Sequence, residues 1–363
     1  MFQFQHPDPA QLMPVAAGGA QGQPIQGGGL PGPALFATPP GQGNLPPGAR
    51  FAAGPAPSPY PVDFHRSGIA VGYANDEYIA DLILPRLAAL MRREYRFNRY
   101  PIEEHFTVPP TRVGRRSAPA MVHLSSAEDT RSVEDYGLDD AIPADDVTNT
   151  APTAMNPIDR ASMVLTDLLM IARELRVAEL VFNPAHYPDT NKITLSGSSQ
   201  WTHADSNPLR DIVAAQTGMI VKPTDIAMGE EVFAALRTHP RMLKATHAND
   251  GDSGIASREA MERVLMLRIH VGSARVNTAR PGQAANLARC WGKHALLYRR
   301  DPNTDYKGPP SLGFTAPYLG RQVMVGFDPR IGVRGTYVVR VVDSCDEAMV
   351  AKLAGYFFRN AVA

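Results

Sequence analysis

The sequence predicts an α+β fold built on one long helix, with a long extended excursion ahead of it. Three observations lead there. Residues 157–183 keep an apolar repeat near 3.6, residues 91–153 space few apolar side chains for a core, and the C-terminal half alternates short apolar runs with turns. No sequence period of about 20–50 residues repeats, which excludes a solenoid or propeller.

Composition narrows the function classes. Apolar residues at 44% of a 363-residue chain supply a core, and that length suggests about two domains, or one carrying long arms. The 36 basic and 36 acidic side chains cancel, which argues against a simple nucleic-acid binder that needs a basic excess. Two cysteines, Cys290 and Cys345, are too few for a secreted disulfide scaffold and read as free thiols from a reducing compartment. No apolar run reaches the ~18 residues of a membrane span, and no signal-peptide pattern opens the chain, so no membrane partner is expected.

From Met1 to about Pro61 the chain is Gly, Pro, Gln and Ala, with roughly two-fifths of the 33 prolines and with Asp8 and Arg50 its charges. Proline supplies no N–H to a ladder, and so polar a segment buries too little to offset its ordering entropy. A disordered tail is expected unless neighbours pin it. Order is expected from Gly72. Asn75, Asp76 and Glu77 open a short helix of about two turns that stops at Pro85. Glu94–Tyr100 alternates as a strand and Met121–Leu124 as a second, before an acidic stretch from Glu128 to Asp146.

Asn156-Pro157 opens the strongest helix: Asn156 suits the N-cap, Pro157 the first helical position and Asp159 the positive helix end. Its stripe of Ala161, Leu165, Leu168, Ala172, Leu175, Val181 and Phe182 runs to Asn183-Pro184, a rod of ~39 Å. A second helix is predicted over Pro208–Met219, a strand over Asp225–Met228, and a helix over Glu230–Leu236 that ends near His239-Pro240. Short strands are expected at Leu265–Val271, Asn286–Tyr298, Gly313–Ala316 and Thr336–Val342.

Catalytic patterns are weak. Gly251-Asp252-Ser253-Gly254 resembles the nucleophile loop of trypsin-like serine proteases, but His203, His239 and His247 stand in no partner motif, and a polar turn accounts for the same residues. Asp250 and Asp252 suggest a calcium loop, yet Ile255 and Met261 hold the places that need glycine and glutamate. The histidines and cysteines show no zinc spacing, and Gly292-Lys293-His294 lacks the hydroxyl and the upstream glycine of a phosphate loop. No catalytic, cofactor or metal site is expected, and the chain reads as a non-enzyme.

Several blocks together carry a resemblance. Asn75-Asp76-Glu77-Tyr78-Ile79-Ala80-Asp81-Leu82-Ile83-Leu84-Pro85-Arg86 resembles the N-terminal signature of a tailed-phage major capsid protein family. The likeness continues through residues 112–119, Glu134-Asp135-Tyr136-Gly137-Leu138-Asp139-Asp140, residues 191–197, residues 251–255, Trp291-Gly292-Lys293-His294 and Gly355-Tyr356-Phe357-Phe358. What it implies is the Hong Kong 97-type coat fold, with residues 1–71 as the N-terminal arm and 72–90 as its short helix. Residues 91–153 become an extended E-loop, 154–222 a peripheral domain with its spine helix at 157–183, 223–334 an axial domain, and 335–363 a return to the peripheral domain.

The implied function is a structural coat that self-assembles through hexamers and pentamers into an icosahedral phage head around double-stranded DNA. Its implied partners are further copies, scaffold, portal and decoration proteins, and the enclosed DNA by non-specific contact. Its place is the virion, assembled in the bacterial cytoplasm. An encapsulin-like compartment resembles the same fold, and a serine hydrolase using Ser253 is the alternative from another class.

Charge along the excursion is segregated. Its first half is rich in arginine, including Arg112, Arg115 and Arg116. Its second half is acidic, including Glu134, Asp135, Asp139 and Asp140. Arginine forks onto carboxylates, so these seven residues are the candidate inter-subunit contacts, although ordinary solvated faces explain any single pair. Some coats of this fold cross-link through an E-loop lysine, but no lysine precedes Lys192 here.

Overall fold

The helix Pro157–Val181 organises the fold, and its start follows the capping rules: Asn156 Oδ1 accepts the Ile158 N–H, and Pro157 sits where no donor is needed. Its 25 residues span ~38 Å. Ile158, Ala161, Leu165 and Leu169 pack into one core with Ile142, Val323, Val339 and Val341. Val177, Ala178 and Val181 pack into another, with Ile83, Trp291, Leu296 and Phe357. The computed structural model describes residues 60–72, 77–99, 107–122, 127–151, 153–247, 254–280, 282–301 and 311–363.

The strands are β1 (Glu94–Arg99), β2 (Ala127–Ser132), β3 (Glu134–Pro143), β4 (Lys192–Thr194), β5 (Asp225–Gly229) and β6 (Arg268–Gly272). They continue as β7 (Arg275–Asn277), β8 (Leu287–Arg289), β9 (Ala295–Tyr298), β10 (Gly313–Asp328), β11 (Thr336–Met349) and β12 (Gly355–Arg359). β1 and β2 form an antiparallel ribbon, and β7 and β8 a second small pair. β10 and β11 form a long hairpin, and β3 adds to its β11 side.

The largest sheet has the order β4–β12–β9–β5–β6. Alternation along its strands feeds two cores at once, because successive side chains leave opposite faces. Ile226, Met228, Leu297 and Phe358 meet the helices Pro208–Gly218, Glu230–Thr238, Pro240–His247 and Arg258–Leu265. Ala227, Leu296, Tyr298 and Phe357 face the C-terminal half of the long helix instead.

Several expectations need correction. Order starts before Gly72: a helix spans Phe64–Gly72, with Asp63 Oδ1 accepting the Arg66 N–H, and Ala70 is buried beside the long helix. The expected two-turn helix holds only Ala80–Ile83, because the chain leaves at Leu84-Pro85 to bond the edge of β10 through Thr315. Asn75 and Asp76 lie outside the described residues, as do residues 1–59 of the arm. Met121 and Val122 are exposed and in no ladder, and His123 and Leu124 are outside the described set. The partner of β1 is β2, whose sequence Ala-Glu-Asp-Thr-Arg-Ser has no apolar alternation to read.

The helix Glu230–Thr238 does end at His239-Pro240 as expected, but two helices that were not expected follow it, one starting at Pro240 and one capped by Ser257 at the Ala260 N–H. The hairpin strands run on to Asp328 and Met349, well beyond the short strands expected. The expected domain boundaries do not follow the sheets either. β4 and β12 lie on opposite sides of 223–334 in sequence yet pair within the sheet that span supplies, whereas β10 lies inside the span and pairs with β11. The excursion also ends early, because β3 leaves the ribbon after Val133 and joins β11.

Candidate assembly surfaces

The ribbon is fixed at its root. Tyr95 and Phe97 are buried against Phe314, with ring centroids 6.1 and 5.9 Å away. Tyr95 Oη donates to Asp346 at 2.7 Å, and Arg131 on β2 forks onto the same carboxylate at 2.6 and 2.8 Å. Beside this root lies a buried ionic hub. Arg86 forks onto Asp343 at 3.1 and 2.6 Å, Arg173 meets Asp81 at 2.8 Å, and Arg176 meets Glu347 at 3.0 Å while lying 3.6 Å over the Tyr136 ring. Burial alone would push the Asp343 carboxyl up, but the Arg86 fork and the charges of Arg321 and Arg173 hold it below the usual range.

The same surroundings disarm the nucleophiles. Burial pushes the Cys290 thiol up to about 11 and the Cys345 thiol up to about 12, so neither is a thiolate at neutral pH. His239 Nδ1 accepts the Arg241 N–H, so Nε2 carries the proton, faces Ser206 Oγ at 3.1 Å and cannot act as its base. Ser253 lies outside the described residues. Among the described residues no cluster of metal-binding side chains occurs, and no helix is long and apolar enough to cross a membrane.

The seven candidate contact residues fall into two sets. Arg112, Arg115 and Arg116 lie in an exposed stretch without helix or strand, and make no ion pair among the described residues. The four acids lie on β3, where three already have intrachain partners, two of them arginines. Asp135 accepts from Ser344 Oγ at 2.6 Å and pairs with Arg93, and Asp139 takes a fork from Arg340 at 2.7 and 2.6 Å. Glu134 accepts the Tyr136 hydroxyl at 2.9 Å, and Asp140 is exposed. The structure thus does not bring the arginines and these acids together within one chain.

Exposed apolar side chains mark further surface. Met91, Val108 and Met121 are 94%, 85% and 87% exposed, along and beyond the ribbon. Phe327, Ile331 and Val333 cluster at the hairpin end, and Val164 and Leu168 share the outer face of the long helix. Grouped exposure of this kind marks surfaces that associate. Sequence reading missed the hub, whose one legible sign was a set of carboxylates, Asp343, Asp346 and Glu347, following the apolar run Val338–Val342 interrupted by Arg340.

No family model matches the chain. It is 40% identical over 307 residues to the major capsid protein of Pseudomonas phage JBD67, covering 84% of this chain and 99% of that one. In structure it resembles a phage-related protein from Bordetella bronchiseptica RB50, with TM-score 0.66 and 20% identity over 83% of this chain and 98% of that one. The capsid of the native GTA particle follows with TM-score 0.53 and 10% identity, covering 80% and 92%.

Proposed function

This chain belongs to the phage major capsid proteins, and we propose that it closes through hexamers and pentamers into an icosahedral head around double-stranded DNA. It is a structural, non-enzymatic coat protein with the Hong Kong 97-type fold. The observation that carries the proposal is the 40% identity running through 99% of a major capsid protein.

In this reading the ribbon from Met91 to Val133 is the E-loop. The long helix with β3, β10 and β11 makes the peripheral domain, and the five-stranded sheet with its helices makes the axial domain. A ribbon with a fixed root and an exposed stretch at residues 107–122 suits assembly, because apolar side chains such as Val108 and Met121 gain burial only on a neighbouring copy. Arg112, Arg115 and Arg116 would meet the acidic β3 of that neighbour, Asp140 first and then Glu134, which holds only the Tyr136 hydroxyl, since Asp135 and Asp139 would have to leave or share arginine partners. Scaffold, portal and decoration proteins and assembly in the bacterial cytoplasm complete the proposal.

Electron micrographs of the purified protein, with a nuclease-protection assay on phage-derived particles, test it. Closed shells holding protected DNA are expected. A stable monodisperse monomer at high concentration, or shells that carry enzymes and no DNA, would overturn it.

A further inference from the structure

One end of the five-stranded sheet gathers five cations beside four carboxylates. The Arg268 N–H bonds to Thr224 O, the Thr224 N–H to Tyr298 O, and the Arg300 N–H to Thr224 Oγ1. The start of β6, the entry to β5 and the exit from β9 therefore lie abreast. Neighbouring strands are ~4.8 Å apart, so Arg268 and Arg300 leave the backbone within about 10 Å of each other. Lys222, Arg299 and, from the end of the helix Arg258–Leu265, Arg263 join them around an open groove of about 850 Å³.

None of these five cations forms an ion pair among the described residues. Arg263 donates to the Glu259 carbonyl at 3.4 Å and its charge acts on the Glu259 carboxylate, as that of Arg268 acts on Asp225, while Arg300 Nε is buried with no hydrogen-bond partner. The acids that line the groove are engaged elsewhere. Asp225 is held by His270 at 2.7 Å, and Glu262 takes the Ile269 N–H at 2.9 Å and Arg258 at 3.2 Å. Glu259 is bonded by its own backbone and by Ser257, and Asp301 also has a partner. The lining thus carries five cations against four carboxylates, an excess of one positive charge.

We propose that this groove binds the phosphates of nucleic acid, and the inference rests on the coat reading above for the presence of that ligand. An arginine fork accepts phosphate as readily as carboxylate, but most carboxylates on the acidic segment of a second copy are already engaged. Glu128, Asp135, Asp139 and Asp145, on its most acidic segment, are already paired within their own chain. Packaged DNA instead presents phosphates in excess, and an open groove on a sheet end admits a backbone running past it.

The test uses full-length capsomers and a short fluorescein-labelled DNA duplex, with anisotropy followed against salt. The double variant Arg268→Ala/Arg300→Ala should lower the slope of log affinity against log salt by about 1.8, and the affinity at ~0.1 M salt by up to about 60-fold. Arg268→Lys/Arg300→Lys should keep most of the slope, which a merely structural role would not predict. Unchanged emission from the buried tryptophans controls for folding. The proposal is overturned by wild-type affinity and slope in the alanine variant. It is equally overturned if that variant stops making shells while its DNA binding is intact, or if a synthetic peptide of residues 128–146 occupies the groove in preference to DNA. Shell formation by the wild type is scored separately by microscopy, so failure of the coat reading is distinguishable from failure of the groove.

Discussion

Two arginine forks of nearly equal geometry differ in their surroundings, and that difference predicts how much each contributes. Arg86 holds Asp343 at 3.1 and 2.6 Å, and Arg340 holds Asp139 at 2.7 and 2.6 Å. The Asp343 side chain is 7% exposed and that of Asp139 is 42% exposed. Asp343→Ala would leave Arg86 with only Asp81 at 3.4 Å, and would strip the nearest carboxylate from Arg321, whose Nε already lacks a partner. Removing one member of a buried pair costs ~3–5 kcal/mol, whereas an exposed pair contributes ~0–1 kcal/mol.

Urea unfolding of dissociated subunits, followed by emission from Trp201 and Trp291, reads both variants, because both indoles are wholly buried. Asp343→Ala should lose at least about 2 kcal/mol more than Asp139→Ala. Because the Asp343 carboxyl is held below its ordinary range, its stabilisation is complete above the unfolded value near ~3.9 and is lost as pH falls through the lower folded one. Wild type and Asp343→Ala should therefore converge in strong acid and diverge at neutral pH. Equal losses in the two variants would refute the reasoning and show that water reaches the hub.

Gly229→Ala should destabilise by ~1–3 kcal/mol or more in the same assay, because its Cβ would stand 2.0 Å from Gly292 O and 2.5 Å from Trp291 O, backbone atoms that cannot rotate away; wild-type stability would mean that the 291–292 turn yields. Arg115→Glu/Arg116→Glu should block shell closure while leaving subunits folded by circular dichroism, and added salt should weaken wild-type assembly; normal particle yield would mean these charges only face solvent. Shells boiled in detergent should run as a single monomer band, since no lysine precedes Lys192, and a ladder of multimers would sink that expectation.

The long helix was legible because cap, proline and apolar stripe agree over 25 residues. β2 was not, since its six residues are mostly polar and its position comes from pairing with β1, with Arg131 reaching Asp346 far along the chain. The helix Phe64–Gly72 was masked by the proline- and glycine-rich run before it, although Asp63 gave a cap signal. At the candidate contacts, the sign of each charge was readable and its partner was not. Asp139 faces Arg340 across 201 residues, a relation set by the register of β3 on β11. The hub was illegible for the same reason: its cations and carboxylates come from segments that only the folded sheet edge brings together.

β12 gives the subunit a built-in order of completion. It lies between β4, some 160 residues earlier, and β9, and it contributes Phe357 to one core and Phe358 to the other. A growing chain that has reached Ala354 can form the long helix and the hairpin, but it holds an open slot in the sheet and two aromatic vacancies. Loop closure over so long a separation is slow, and the contacts that reward it arrive together with the last strand. The two cores that Phe358 and Phe357 enter then close in a single event. A half-made subunit therefore cannot present a finished surface to a growing shell, and premature incorporation is discouraged by topology, without a separate checkpoint.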